Sequence, residues 1–117
     1  GLFYHLKGGF YMVIISNAFS LQMLSLQRKT NVEVIPLTLV EVKNLLKGDF
    51  LSAVGHQDTA NVLSDLLGFD VPCNRINVQL TQNDVLVVAQ LVGGRLPEGS
   101  TKLPDGFAFQ FVKVIIN

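Results

Sequence analysis

Val85-Leu86-Val87-Val88-Ala89-Gln90-Leu91 is apolar at every position but Gln90. A strand with one wet face alternates apolar and polar residues, so an almost unbroken run predicts a central strand covered on both faces. Such a strand needs a partner along each edge and a packed layer above and below. Upstream, residues 75–80 alternate cleanly, with Ile76, Val78 and Leu80 on one side and Arg75, Asn77 and Gln79 on the other. Thr81-Gln82-Asn83-Asp84 follows as a turn, and the whole predicts a hairpin into the central strand. Downstream, residues 93–106 are a loop punctuated by glycine and proline. Residues 107–116 predict the last strand, with Phe107, Phe109 and Phe111 on one side.

The N-terminal half supplies the remaining elements. Residues 12–15 form a short apolar strand, after which Ser16 and Asn17 offer capping side chains to a helix carrying Phe19, Leu21, Met23 and Leu24. Residues 27–31 are a polar connection. Residues 32–37 predict a strand in which Pro36, lacking an N–H, marks an edge or an end. Thr38-Leu39-Val40-Glu41 is a capping-box pattern opening a helix through about Lys47, where Gly48 and Asp49 stop it. After a brief extended piece at 50–54, the residues Thr59, Ala60, Val62, Leu63, Leu66 and Leu67 recur at helical spacing up to Gly68. Residues 69–74 are a loop containing Pro72. The expected fold is α/β with α+β character: a single domain with a mixed sheet of about five strands and three helices packed mainly on one face.

Composition narrows the function classes. A chain of 117 residues makes one domain with a real core, and 49% hydrophobic residues with a mean hydropathy of +0.41 make it rich in apolar segments. No run approaches the roughly 18 uninterrupted apolar residues of a membrane span. Nine basic and nine acidic residues give a formal charge of zero, which argues against long nucleic acid while leaving room for a compact anion held by a few placed arginines. Cys73 is the single cysteine, so no internal disulfide or cysteine-rich zinc site is expected, and a reducing cytoplasm fits.

His56 stands where the last helix begins, in Val54-Gly55-His56-Gln57-Asp58-Thr59-Ala60. An imidazole there lies beside unpaired backbone N–H groups that also attract anions, so one residue can touch a phosphate and move a proton. A plain capping role competes on even terms. Arg95-Leu96-Pro97-Glu98-Gly99 follows Gly93-Gly94 directly after the central strand, and Pro97 stiffens a loop that presents a guanidinium with a carboxylate. Arginine grips phosphate through two parallel hydrogen bonds, and Glu98 would orient it or meet a sugar hydroxyl; the alternative is a surface ion pair. Arg75 is an edge charge or an anion contact. Asn17 and Ser20 read as caps. Gln90 is an amide in an apolar strand that must find partners, and a ligand would supply them. No second histidine partners His56 at metal-ligand spacing and the carboxylates are scattered, so no metal and no cofactor are expected. Lys7-Gly8-Gly9 is what a translated ribosome-binding stretch would encode ahead of Met12, and residues 1–11 are read as a non-native or upstream-translated extension, with His5 discounted.

Ser16-Asn17-Ala18-Phe19-Ser20, Gly55-His56 leading to Thr59, Asn74-Arg75 and Arg95-Leu96-Pro97-Glu98-Gly99, in this order and at this spacing, resemble the small viral anti-CRISPR ring nuclease family. The resemblance runs from Met12 to the C-terminus. It implies a metal-independent homodimer that opens cyclic tetra-adenylate, the second messenger of type III CRISPR systems, across its twofold axis. Carried over by position, His56 matches the general acid, Arg95 steadies the scissile phosphate and Glu98 supports it. Asn17, Ser20, Arg75 and Gln90 fall at or near ligand contacts. Departures are Gln57, where many relatives carry an acid and this chain has Asp58 next, a longer spacing from Gln90 to Arg95, and a short turn at 101–106 in place of a helix. A dimer that sequesters the ring without cutting it is the alternative.

Overall fold

The computed structural model describes residues 3–6 and 9–117. Its elements are β1 (Phe3–Leu6), β2 (Gly9–Ser16), β3 (Val32–Leu37), α1 (Leu39–Leu45), β4 (Leu51–Ser52), α2 (Gln57–Leu67), β5 (Val85–Val92) and β6 (Ala108–Ile116). The sheet runs β1-β2-β5-β6-β3, and β4 pairs with β2 off this path. β5 is central, as its apolar run predicts: it lies parallel to β2 from Val13↔Val85 to Ser16↔Val88 and antiparallel to β6 from Leu86↔Val114 to Val92↔Ala108. β3 closes one edge against β6, with Pro36 on the outermost strand where a missing donor costs no ladder bond. β1 pairs with the first half of β2, from Phe3↔Met12 to Leu6↔Gly9, and so lies within the expected extension 1–11; residues 1, 2, 7 and 8 fall outside the described residues.

Alternation along the strands sorts the core into two layers. Val13, Ile15, Val87, Ala89 and Phe111 face the helices, meeting Val42 and Leu46 near α1 and Ala60, Leu63 and Leu67 of α2. Burying each large aliphatic side chain of that stripe contributes about 1.5–3 kcal/mol. The opposite face, with Ile14, Leu86, Val88 and Val114, is covered at one end by Leu24, Ala53, Val78 and Leu80 from irregular segments. Both helices therefore pack on one side of a mixed sheet in a single compact domain. The capping box of α1 forms as read: Thr38 Oγ1 accepts from the Glu41 amide at 3.2 Å, and Glu41 Oε1 accepts from the Thr38 amide at 2.9 Å.

Two expected elements are corrected. Residues 75–80 join no ladder, because both edges of β5 are already filled by β2 and β6; they cross the sheet face, burying Val78 and Leu80 and leaving Ile76 at 40% exposure. The segment hangs on side-chain burial and on the Leu80 amide, which donates to the Met23 carbonyl at 2.8 Å. The turn at 81–84 survives, with Asn83 at φ 85° and Asp84 accepting from Thr81, but it is not a hairpin turn. The expected first helix is a single 3-10 turn at Leu21–Met23. Its two prospective caps are spent elsewhere: Ser16 Oγ accepts from the Ala18 amide at 3.3 Å, a local bond that competes with helix, and Asn17 is drawn to Gly55.

Candidate active site

β2, β4 and β5 run parallel, so their C-terminal ends share one edge of the sheet. Asn17 follows β2, Gly55-His56 follows β4 by a few residues, and Gly93-Gly94-Arg95 follows β5. Loops beyond the carboxyl ends of parallel strands are where open sheets of this kind bind ligands.

The turn that delivers His56 is held from beneath. Ser52 Oγ donates to the Pro72 carbonyl at 2.6 Å and accepts from the Val54 amide at 3.3 Å, while Asn74 Nδ2 donates to the Ser52 carbonyl at 2.8 Å. The peptide groups on either side of Gly55 are each held: the Gly55 amide donates to Asn17 Oδ1 at 3.2 Å, and Arg75 Nε donates to the Gly55 carbonyl at 2.7 Å. Gly55 itself has no left-handed φ, and a Cβ there would stand 3.6 Å from Arg75 Cγ, an ordinary contact distance. His56 is the N-cap of α2 with extended backbone, φ −130° and ψ 125°. Its Nδ1 accepts from the Thr59 amide at 3.4 Å and lies 3.4 Å from the Thr59 hydroxyl. In the neutral ring an accepting Nδ1 places the proton on Nε2. The side chain is exposed, so its capping role does not bar it from a further contact.

The second loop is anchored at its base and its middle. Gly93, at φ 120°, packs so closely on the start of β6 that a Cβ would meet the Gly106 carbonyl at 2.9 Å and Phe107 Cα at 3.0 Å. Leu96 is buried at 7% exposure, and the Pro97 carbonyl accepts from the Ser100 amide at 3.1 Å, with Gly99 at φ 81° between them. Arg95 and Glu98 are both exposed, and among the described residues no ion pair joins them. The loop touches α2 directly: the Gly99 amide donates to Asp58 Oδ2 at 3.1 Å across a sequence separation of 41 residues.

Asn17 and Arg75 line a recess of about 380 Å³ with Gly55, Ile76 and Asn77, and Ile76 and Asn77 also bound an adjoining recess of about 340 Å³ that includes Ser20. Asn17 and Ser20 cap nothing by side chain: Asn17 serves the His56 turn, and Ser20 is exposed. Gln90 corrects an expectation, because it is exposed; it stands on the face away from the helices, opposite Gln110 and outside both recesses. Asn77 is a residue the sequence reading does not single out, because alternation gives it only as one polar position in a strand. A larger recess of about 740 Å³, bounded by Arg28, Lys29, Thr81 and Asn117, lies at the other end of β5 and contains none of the candidate residues, so size alone does not mark the site. Among the described residues no cluster of three or more His, Cys, Asp or Glu could hold a metal ion, and no helix is long and apolar enough to cross a membrane.

Residues 13–106 match the STIV B116-like family, most of the chain and every element that builds this sheet edge. The chain belongs to that family. A solved relative, B116 of Sulfolobus turreted icosahedral virus, superposes with a TM-score of 0.74 at 25% identity, covering 88% of this chain and 97% of B116. Uncharacterized protein 26 of Sulfolobus islandicus filamentous virus (isolate Iceland/Hveragerdi) is 41% identical over 64 residues, 54% of this chain and 53% of that protein. Uncharacterized protein ORF117 of Acidianus two-tailed virus is 37% identical over 70 residues, 57% of this chain and 59% of its own length. The match thus spans little more than half the length of these curated relatives. The relatives named here are proteins of archaeal viruses.

Proposed function

We propose that this STIV B116-like protein is a ring nuclease that opens cyclic tetra-adenylate to linear di-adenylate with 2′,3′-cyclic phosphate ends, without a metal ion, and so silences type III CRISPR signalling in a host cytoplasm. One observation supports this reading above the others: the helix start carrying His56 and the loop carrying Arg95 and Glu98 touch through Asp58 and Gly99, beside the Gly55 turn gripped by Asn17 and Arg75. An imidazole and two guanidiniums from three parts of the chain border one sheet edge.

The chemistry follows from those groups. A ribose 2′-oxygen attacks its neighbouring phosphorus, the O2′–P bond forms, the P–O5′ bond breaks, and the 2′ proton passes to solvent. The substrate supplies its own nucleophile, so the protein mainly enforces in-line geometry and protonates the departing 5′ oxygen. His56 Nε2 is the donor. In the charged ring Nδ1 becomes a donor too, and the Thr59 hydroxyl at 3.4 Å is placed to accept from it. Arg95 steadies the phosphate, Glu98 supports it, and Arg75 has four guanidinium N–H groups left after its bond to Gly55. Cutting a ring of four twice needs two sites, which a homodimer provides. The uncovered sheet face bearing Gln90 and Val92, next to the end of β5, is where a second copy would sit so that Gln90 and Ser20 meet the ring.

Incubation of the purified chain with cyclic tetra-adenylate in EDTA tests the proposal. Linear di-adenylate with cyclic phosphate ends is the expected product. A ring that is retained but uncut makes the protein a sequestering dimer, and a ring that is neither retained nor cut removes the reading.

A further inference from the structure

Asp58 is half-buried on the first turn of α2, two residues after His56. Its Oδ2 takes the Gly99 amide at 3.1 Å, and that amide is presented by a turn closed by Ser100 on the Pro97 carbonyl and held open to the left-handed region at Gly99, φ 81°. The donor belongs to the backbone, so what it requires is an oxygen acceptor at this place, and a carboxylate on a helix's first turn is itself favoured by the unpaired N–H groups there. Glu98 lies within the same turn, and Arg95 stands two residues before the turn begins at Pro97. We infer that Asp58 is a positioning residue: it straps the loop at residues 95–99 to the helix start and thereby fixes the distance from the Arg95 guanidinium to the His56 imidazole. The inference deepens the ring-nuclease reading and rests on it.

Two variants and two readouts test it. Asp58→Ala loses the acceptor, and a misplacement of about 1 Å in a reacting group is enough to lower kcat by about ten- to a hundredfold with a smaller change in KM. Asp58→Asn keeps an amide oxygen for the Gly99 amide and is expected to recover most of kcat, with an unchanged pH profile because no charge on Asp58 is needed. Hydrogen exchange at the Gly99 amide should accelerate in Asp58→Ala and stay slow in Asp58→Asn. Wild-type kcat in Asp58→Ala, equal losses in both variants, or unchanged Gly99 exchange each overturn the strap. A wild-type chain that leaves the ring intact sinks the functional reading instead, and the exchange measurement still decides whether Asp58 holds the loop.

Discussion

Arg75 reaches back across twenty residues to the carbonyl of Gly55, its Nε donating at 2.7 Å, and so fixes the peptide group immediately before His56. Arg75 also lines the recess shared with Asn17. Lysine cannot do both, because an ammonium is a single point charge without a fixed fork. Arg75→Lys is therefore expected to weaken ring binding about tenfold and to lower kcat as well. Equilibrium binding and single-turnover cleavage on the same preparation check this; wild-type values for both would detach Arg75 from the site.

His56→Ala should abolish most turnover, by about 10²–10³-fold, within the range general acid catalysis supplies. Ring binding should stay within a few-fold of wild type. The cap it provides is a long contact, 3.4 Å from Nδ1 to the Thr59 amide, so unfolding stability should fall by about 1 kcal/mol or less. Urea unfolding and single-turnover kinetics separate the two effects.

Gly93→Ala tests the anchoring of the Arg95 loop. At φ 120° an L side chain is strained, and its Cβ would press on the Gly106 carbonyl at 2.9 Å, a backbone atom that cannot swing aside. Destabilisation of about 1–3 kcal/mol is expected, with loss of activity exceeding what the unfolded fraction explains. Gly68→Ala, at φ 84° with open space around it and remote from the loop, should reduce stability while sparing activity per folded molecule.

Glu41 gives a pH dependence with a definite sign. Its carboxyl is held below the ordinary glutamate range, chiefly by the Thr38 backbone amide and then by the Thr38 side chain. A depressed folded value contributes stability above the unfolded pKa and loses it as pH falls through the folded one. The stability difference between wild type and Glu41→Gln, followed by urea unfolding from about pH 7 to about pH 3, should favour wild type near neutrality and vanish at the acid end. A constant difference would remove the carboxylate from the cap.

Val92→Lys probes the proposed dimer. Val92 is 50% exposed at the end of β5, on the face where Gln90 and Gln110 also stand in the open. A charge placed in an interface core should convert dimer to monomer in sedimentation and abolish ring retention, whereas the same change at Val40, 66% exposed on α1, should do neither.

Much of this was legible in the chain. The apolar run of β5, the capping box at Thr38 and the helix from His56 to Gly68 are local patterns in which spacing alone carries the meaning, and each appears where it was read. Residues 75–80 misled because alternation records one buried side, not a hydrogen-bonded partner, and the neighbours of β5 came from distant segments. The helix at Phe19 to Leu24 failed because Ser16 and Asn17 spend their side chains on Ala18 and Gly55, a choice set by tertiary contacts. For the site, His56 and the Arg95 loop stood out as motifs. Asp58 did not, since its meaning lies in a backbone amide 41 residues away that no side-chain pattern announces.

Pro36 has one more effect. β3 is a free border of the sheet, and a border normally invites a neighbouring chain to add a strand. With an imide nitrogen in its outer row and Glu33 nearby, this one is a poor template for edge-to-edge growth. Strand addition along this border is thereby discouraged, even where the chain is concentrated.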